Sequence, residues 1–206
     1  VIDTTGSYQI TIPGIGTSGL FQIGDRIYAS LFRQAVAAFY LHRSGIALPK
    51  PIAGKWTRAS CHTSDSIVYS ATPADPIIHN ATGGWFDGSD YGKYVPNGNF
   101  AAGMLLTLFE YFPSAFPDGS LKIPERENGV PDLLDECRWE LDFILSMQNG
   151  EGGFYHKVSS LEPILPVLPE KDDSQRYLFQ PSTAATAGAC ALLAKASRLY
   201  APFDAT

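Results

Sequence analysis

Two aspartates three residues apart, Asp87 and Asp90, lie in the stretch Gly83–Tyr94, which reads Gly-Gly-Trp-Phe-Asp-Gly-Ser-Asp-Tyr-Gly-Lys-Tyr. Glycines at 83, 84, 88 and 92 let the backbone take positive φ or pass close to another group. Trp85, Tyr91 and Tyr94 add flat amphipathic rings. A tight loop that presents two acids beside aromatic rings suits general base catalysis on a sugar ring, or the binding of a cation. The competing reading is a turn whose Asp and Ser side chains bond their own backbone. Two features favour chemistry. Aromatic residues flank both acids, and a helical pattern starts directly afterwards at Asn97, where the partial positive charge of a helix N-terminus favours ionised carboxylates.

Four helices are predicted to hold this loop. The first runs from about Gly24 or Asp25 to Arg43, with Ile27, Leu31, Ala35, Ala38 and Phe39 at helical spacing and Asp25 near its start. The second, about Asn97 to Phe112, is apolar nearly all round, as in a helix buried in a larger helical assembly, and Pro113 and Pro117 stop it. The third, about Val130 to Gln148, has Pro131 in its first turn, with Leu134, Leu141, Ile144 and Leu145 facing inward. The fourth, about Ser182 to Tyr200, takes Ser182 or Thr183 as its cap and carries small residues that permit close helix packing. Between the first two helices, Ser44 to Pro96 shows no long helical pattern, a length that points to a functional connection. Ser159 to Gln180, with Pro163, Pro166 and Pro169 and the charged run Glu170 to Arg176, reads as a solvated surface loop. Tyr8 to Ile15 alternates as a short strand does.

At 206 residues, 45% of them hydrophobic, the chain can bury a real core. A net charge of -6, with no basic run or stripe, argues against nucleic acid as a partner. No apolar stretch reaches the roughly 18 uninterrupted residues of a membrane span. Cys61, Cys137 and Cys190 include no Cys-x-x-Cys arrangement; Cys137 and Cys190 fall in helical patterns and are expected as small buried apolar residues.

The Gly83–Tyr94 stretch resembles the signature of glycoside hydrolase family 9, with Gly88 and Ser89 where that family usually has Ala and Gly. Asn128–Glu136 (Asn-Gly-Val-Pro-Asp-Leu-Leu-Asp-Glu), Gly152–Val158 (Gly-Gly-Phe-Tyr-His-Lys-Val) and Pro181–Ala187 (Pro-Ser-Thr-Ala-Ala-Thr-Ala) are similar to further family motifs, in the same order. The resemblance runs from about Leu20 to the end. It implies an all-α fold, an (α/α)6 barrel of helical hairpins only partly covered by this chain. Residues 20–206 would be the N-terminal part of the catalytic domain, and 1–19 either the tail of a preceding immunoglobulin-like module or an N-terminal arm.

The resemblance also implies a reaction: inverting hydrolysis of β-1,4-glucan, with Asp90 as general base and Asp87 helping to hold the attacking water. Two neighbouring carboxylates would titrate as a coupled pair, and the Tyr91 or Tyr94 hydroxyl could ease their repulsion. The general acid, a Glu near the end of the family's catalytic domain, is expected beyond residue 206, so the 206 residues alone are expected to be inactive. His156 and Tyr91 are the candidate substrate contacts. Trp85 and Tyr155 could stack on sugar or belong to the core, with Trp85 assigned to the core. No cofactor or metal is required for the chemistry, although structural calcium or zinc is possible in a full-length enzyme. Some family members hold zinc near Cys61 and His62, but Ser44 stands where a further Cys would be needed, with His79 as a remaining candidate ligand. The expected partners are a β-glucan or oligosaccharide and the remainder of the catalytic domain, in a secreted or periplasmic setting. An exo-acting enzyme on cello- or chito-oligosaccharides and a non-catalytic carbohydrate-binding fragment are the alternatives.

Overall fold

A computed structural model of the chain describes residues 2–65, 79–162 and 167–204. Two compact units divide it, Val1–Val36 and Ala37–Thr206. In the first, the single strand expected over Tyr8–Ile15 is instead two short strands, with residues 13–15 in a turn. β1 (Gly6–Tyr8) pairs antiparallel with β4 (Phe21–Ile23), and β2 (Thr11–Ile12) with β3 (Gly16–Thr17). Gly14, at φ 78°, makes the reversal between the inner strands. The first helix, α1 (Ala29–Leu41), begins later than the sequence suggests, because residues 24–28 are spent largely on turns. Ile27, in those turns, and Leu31, in the first turn of α1, are exposed, and Val36 and Tyr40 are the buried positions.

The second unit is built on α3 (Val95–Tyr111), which packs mainly against α5 (Thr183–Tyr200) and α4 (Asp132–Ser146). Leu105, Leu106 and Phe109 of α3 share the core with Leu133, Leu134, Leu141 and Ile144 of α4 and Ala185, Ala189, Leu192 and Ala196 of α5. The small residues of α5 let α3 approach closely. A Cβ at Gly188 would lie 2.6 Å from the amide nitrogen of Asn99, which donates to the Ala185 carbonyl at 3.2 Å. Ser182 is the cap of α5, accepting from the Ala185 amide at 3.1 Å.

Three details of the helical reading are corrected. Pro131 sits at the N-cap of α4, not inside its first turn. Phe100 and Met104 on α3 and Leu145 on α4 are exposed, so α3 is not buried all round in this chain. Cys190 is exposed on α5, whereas Cys137 is buried on α4; both, with Cys61, are free thiols.

Among its described residues the Ser44–Pro96 connection has one short helix, α2 (Lys50–Ala53), followed by a 3-10 turn at Gly54–Trp56. A small antiparallel sheet, β5–β6–β7, sits beside the aspartate loop. β5 (Lys93–Tyr94) pairs with β6 (Lys157–Ser159), placing Tyr94 opposite Lys157, and β6 pairs with β7 (Tyr177–Leu178). The Ser159–Gln180 connection is thus tied down at both ends. Within its charged run, Asp172 and Arg176 have buried side chains that meet partners from the first half of the chain, so the run is not simply solvated. Pro163 and Pro166 lie outside the described residues.

Candidate functional site

The Gly83–Tyr94 loop is fixed from beneath by two acids of α4 one helical turn apart. The backbone amide of Trp85 donates to Glu140 at 2.7 Å, and its indole N–H donates to Glu136 at 2.9 Å. Trp139 of the same helix donates its indole N–H to the Gly84 carbonyl at 3.1 Å. Gly84 is held at φ 72°, and a Cβ there would lie 2.5 Å from the Phe143 ring, so only glycine lets the loop lie this close to α4. Trp85 is buried, as its assignment to the core requires.

Arg43 completes the support. Its guanidinium binds Glu136 through Nε and Nη2, at 3.2 and 2.9 Å, and Glu125 through Nη1 and Nη2, at 2.7 and 3.2 Å. It also lies over the rings of Tyr40 and Trp139. Burial pushes the Glu136 carboxyl up, and the Arg43 guanidinium opposes that shift. Glu140 is more strongly affected: burial raises it to about 8, against the Trp85 amide and Lys93, which favour its charged form.

Above this support the two aspartates diverge in their surroundings. Asp87 is exposed, and its carboxylate accepts from the side-chain amide of Asn97, in the first turn of α3, at 2.9 Å. Asp90 is half-buried and takes one donor on each oxygen. The Gly92 amide reaches Oδ1 and the Tyr94 hydroxyl reaches Oδ2, both at 3.1 Å. Of the two hydroxyls considered from sequence, Tyr94 meets Asp90. Its ring is 6.4 Å from that of His156, centroid to centroid, and His156 holds Nδ1 against the hydroxyl of Ser182, the α5 cap, at 3.2 Å. Asp90, Tyr94 and His156 are therefore brought together.

Tyr91 is directed elsewhere. At φ 51° it turns its ring onto Phe86 and His62, and its hydroxyl donates to the Val167 carbonyl. Its own carbonyl accepts from Arg176 at 2.5 Å. Arg176 in turn pairs with Asp65 at 3.2 Å, and Asp65 with Lys93 at 2.9 Å. Lys93, wholly buried, also donates to the carbonyls of Ala81 and Gly83, so one cation ties both flanks of the loop together. Burial lowers its pKa, and Asp65 opposes that shift.

The zinc question turns on Ser44, Cys61, His62 and His79, and the last three bond different neighbours. Cys61 Sγ accepts from Arg58 at 3.2 Å, His62 Nε2 meets Asp172 at 2.9 Å, and His79 Nε2 meets the Ser146 carbonyl. Ser44 offers a hydroxyl where a tetrahedral site of this kind uses a thiolate. This arrangement does not fit a zinc ion, and no group of three or more His, Cys, Asp or Glu side chains among the described residues is placed to hold a metal.

Sequence reasoning passed over Glu136, Glu140, Arg43, Lys93, Asp65 and Arg176. The one local signal was the row Asp132, Glu136 and Glu140, three acids each one turn apart on α4.

Comparison with known proteins gives a consistent outcome. The model of the family described as Glycosyl hydrolase family 9 matches residues 28–206. An endoglucanase D of Acetivibrio thermocellus is 34% identical over 98% of this chain and 33% of its own length. A xyloglucan-specific endo-beta-1,4-glucanase of Bacteroides ovatus is 32% identical over 98% of this chain and 35% of its own. The crystal structure of a metagenome-derived family 9 endoglucanase superposes with a TM-score of 0.87 at 40% identity, covering 99% of this chain and 37% of that one. The chain thus spans about a third of the length of these relatives. Over that span it has the fold of the family, whose complete form is an (α/α)6 barrel.

Proposed function

This chain belongs to glycosyl hydrolase family 9, and on that premise we propose that it supplies the general base of an inverting hydrolase of β-1,4-linked glucan. The observation that carries the reading is the setting of Asp90. It is half-buried on a non-helical loop, with one hydrogen-bond donor on each carboxylate oxygen, above a support that fixes the loop from below. A base must be aimed at its water, and these two donors hold the carboxylate in one orientation.

In the proposed reaction a water oxygen attacks the anomeric carbon from the face opposite the glycosidic bond. Asp90 takes the water proton as the new C–O bond forms. The glycosidic C–O bond breaks, and its oxygen leaves with a proton from a general acid outside these 206 residues. Asp87, held by Asn97, is assigned to orienting the water. His156, with Nδ1 engaged by Ser182, is assigned to a sugar hydroxyl through Nε2. Tyr91, whose ring packs on Phe86 and His62 and whose hydroxyl is used on Val167, is given no direct substrate role in this reading. The endo mode is supported by the similarity to the endoglucanases of Acetivibrio thermocellus and Bacteroides ovatus. A polymeric substrate places the enzyme outside the cell membrane, in keeping with a secreted or periplasmic protein.

The test is the anomeric configuration of the first product, followed by proton NMR while a complete enzyme carrying these residues hydrolyses a soluble β-1,4-glucan. Early appearance of the α-anomer supports inversion. Early appearance of the β-anomer contradicts it.

A further inference from the structure

Asp90 has two side-chain torsions, and a base that rotates freely spends little time aimed at its water. One oxygen is held by the Gly92 amide, a contact within the turn itself. The other is held from outside the turn by Tyr94, and Tyr94 is in turn held by β6. Tyr94 and Lys157 are directly opposed across β5 and β6. The Lys157 ammonium lies 4.7 Å from the centroid of the Tyr94 ring and 4.3 Å from that of Phe179, and its nitrogen is 3.4 Å from the Tyr94 hydroxyl oxygen. The donors therefore run in one direction: Lys157 to the Tyr94 oxygen, Tyr94 to Asp90 Oδ2.

We infer that Tyr94 is the positioning residue for Asp90, and that Lys157, by holding and polarising the Tyr94 hydroxyl, sets the direction of that hydrogen bond. The inference rests on the reading of Asp90 as the base. Two further facts agree with it. The backbone makes room for the contact: a Cβ at Gly92 would lie 2.4 Å from Cε2 of Tyr94 and 3.2 Å from both Asp90 oxygens, so glycine is what allows the ring to cross the turn. Tyr94 also keeps its proton, because burial and then the Asp90 carboxylate raise its pKa above the usual tyrosine value. It remains a donor wherever Asp90 is ionised. A hydrogen bond from a neutral donor to a charged acceptor, strengthened by a cation on the donor oxygen, is among the stronger classes of such bonds.

The experiment uses Tyr94→Phe, Lys157→Met, Asp90→Ala and the double variant Asp90→Ala/Tyr94→Phe in a complete enzyme, with kcat and KM measured on a soluble glucan and residual rates on an aryl cello-oligosaccharide with a good leaving group. Tyr94→Phe removes one oxygen and keeps the ring, so kcat is expected to fall about ten-fold with KM within about two-fold. Lys157→Met is expected to fall in the same direction by roughly three-fold. A residue that merely supports the fold would cost the same factor in any background. A residue acting through Asp90 costs nothing further once Asp90 is gone, so the double variant is expected to match Asp90→Ala. An unchanged kcat in Tyr94→Phe, or an equal additional loss in the Asp90→Ala background, overturns the inference while leaving Asp90 as the base. Full activity in Asp90→Ala alone overturns the underlying reading, and that arm is scored separately.

Discussion

The indole N–H of Trp85 donates to the Glu136 carboxylate across 2.9 Å, with both residues buried. This bond fastens the aspartate loop to α4, and Arg43 neutralises the same carboxylate from its other side. Trp85→Phe keeps most of the ring packing and removes the donor, leaving part of a buried charge unsatisfied. It is expected to destabilise the fold by about 1–3 kcal/mol. Arg43→Met removes the cation and is expected to cost more, about 3–5 kcal/mol, because Glu136 is then buried without its ion pair. Urea denaturation of the two variants checks both the size and the order.

Glu140 gives the fold a pH dependence with a definite sign. Its carboxyl is raised from the usual 4.5 to about 8 by burial, so between those values the native chain keeps a proton that the unfolded chain has lost. Stability from this group is therefore complete below about pH 4.5 and falls as pH rises toward 8. Asp135, raised by burial to about 6, adds a slope of the same sign lower in the range, and His62, lowered by burial from 6.5, adds one of opposite sign below that value. Between about pH 4.5 and 8, Glu136, also raised by burial, adds to the Glu140 slope, and toward alkaline pH Lys93, lowered by burial, opposes it. Glu140→Gln keeps an acceptor for the Trp85 amide and removes the titration. Its thermal midpoint is expected to be flatter with pH in that range than the wild type's; an unchanged slope would assign the dependence to another group.

Adjacent glycines at the start of the loop separate backbone strain from steric exclusion. Gly83 and Gly84 have φ of 83° and 72°, but a Cβ on Gly83 meets nothing within 4 Å, whereas one on Gly84 enters the Phe143 ring. Gly83→Ala is expected to cost about 1–2 kcal/mol, the strain of an L-residue in the left-handed region. Gly84→Ala is expected to cost at least about 2 kcal/mol more, because the loop must lift from α4 or Phe143 must move. Equal costs would show that the close packing against Phe143 contributes little.

How much of this could be read from the chain depended on how local the cause was. The helical cores of α3, α4 and α5 followed from apolar spacing, and the Ser182 cap from its position before an alanine-rich run, because those causes lie within a few residues. The two aspartates stood out because the glycines and aromatics around them are also local. The supports did not. Glu136 and Glu140 look like a polar stripe on α4, and their partners are remote: Trp85 lies 51 and 55 residues away, and Arg43 lies 93 residues from Glu136. The same distance effect hid Asp172 and Arg176, which read as a solvated run until His62 and Asp65 were placed against them. Leu31, Phe100 and Leu145 fitted apolar patterns and are exposed, because periodicity names a face without saying what covers it.

The most direct measurement is the rate of reducing-end release from carboxymethylcellulose by a complete enzyme carrying Asp90 or Asp90→Asn, which keeps the size of the side chain and removes its basicity. Asp90 as general base predicts a loss in kcat of about 10²–10⁴-fold with the thermal midpoint retained. A variant that keeps wild-type kcat would contradict the assignment of Asp90 and with it the proposed mechanism.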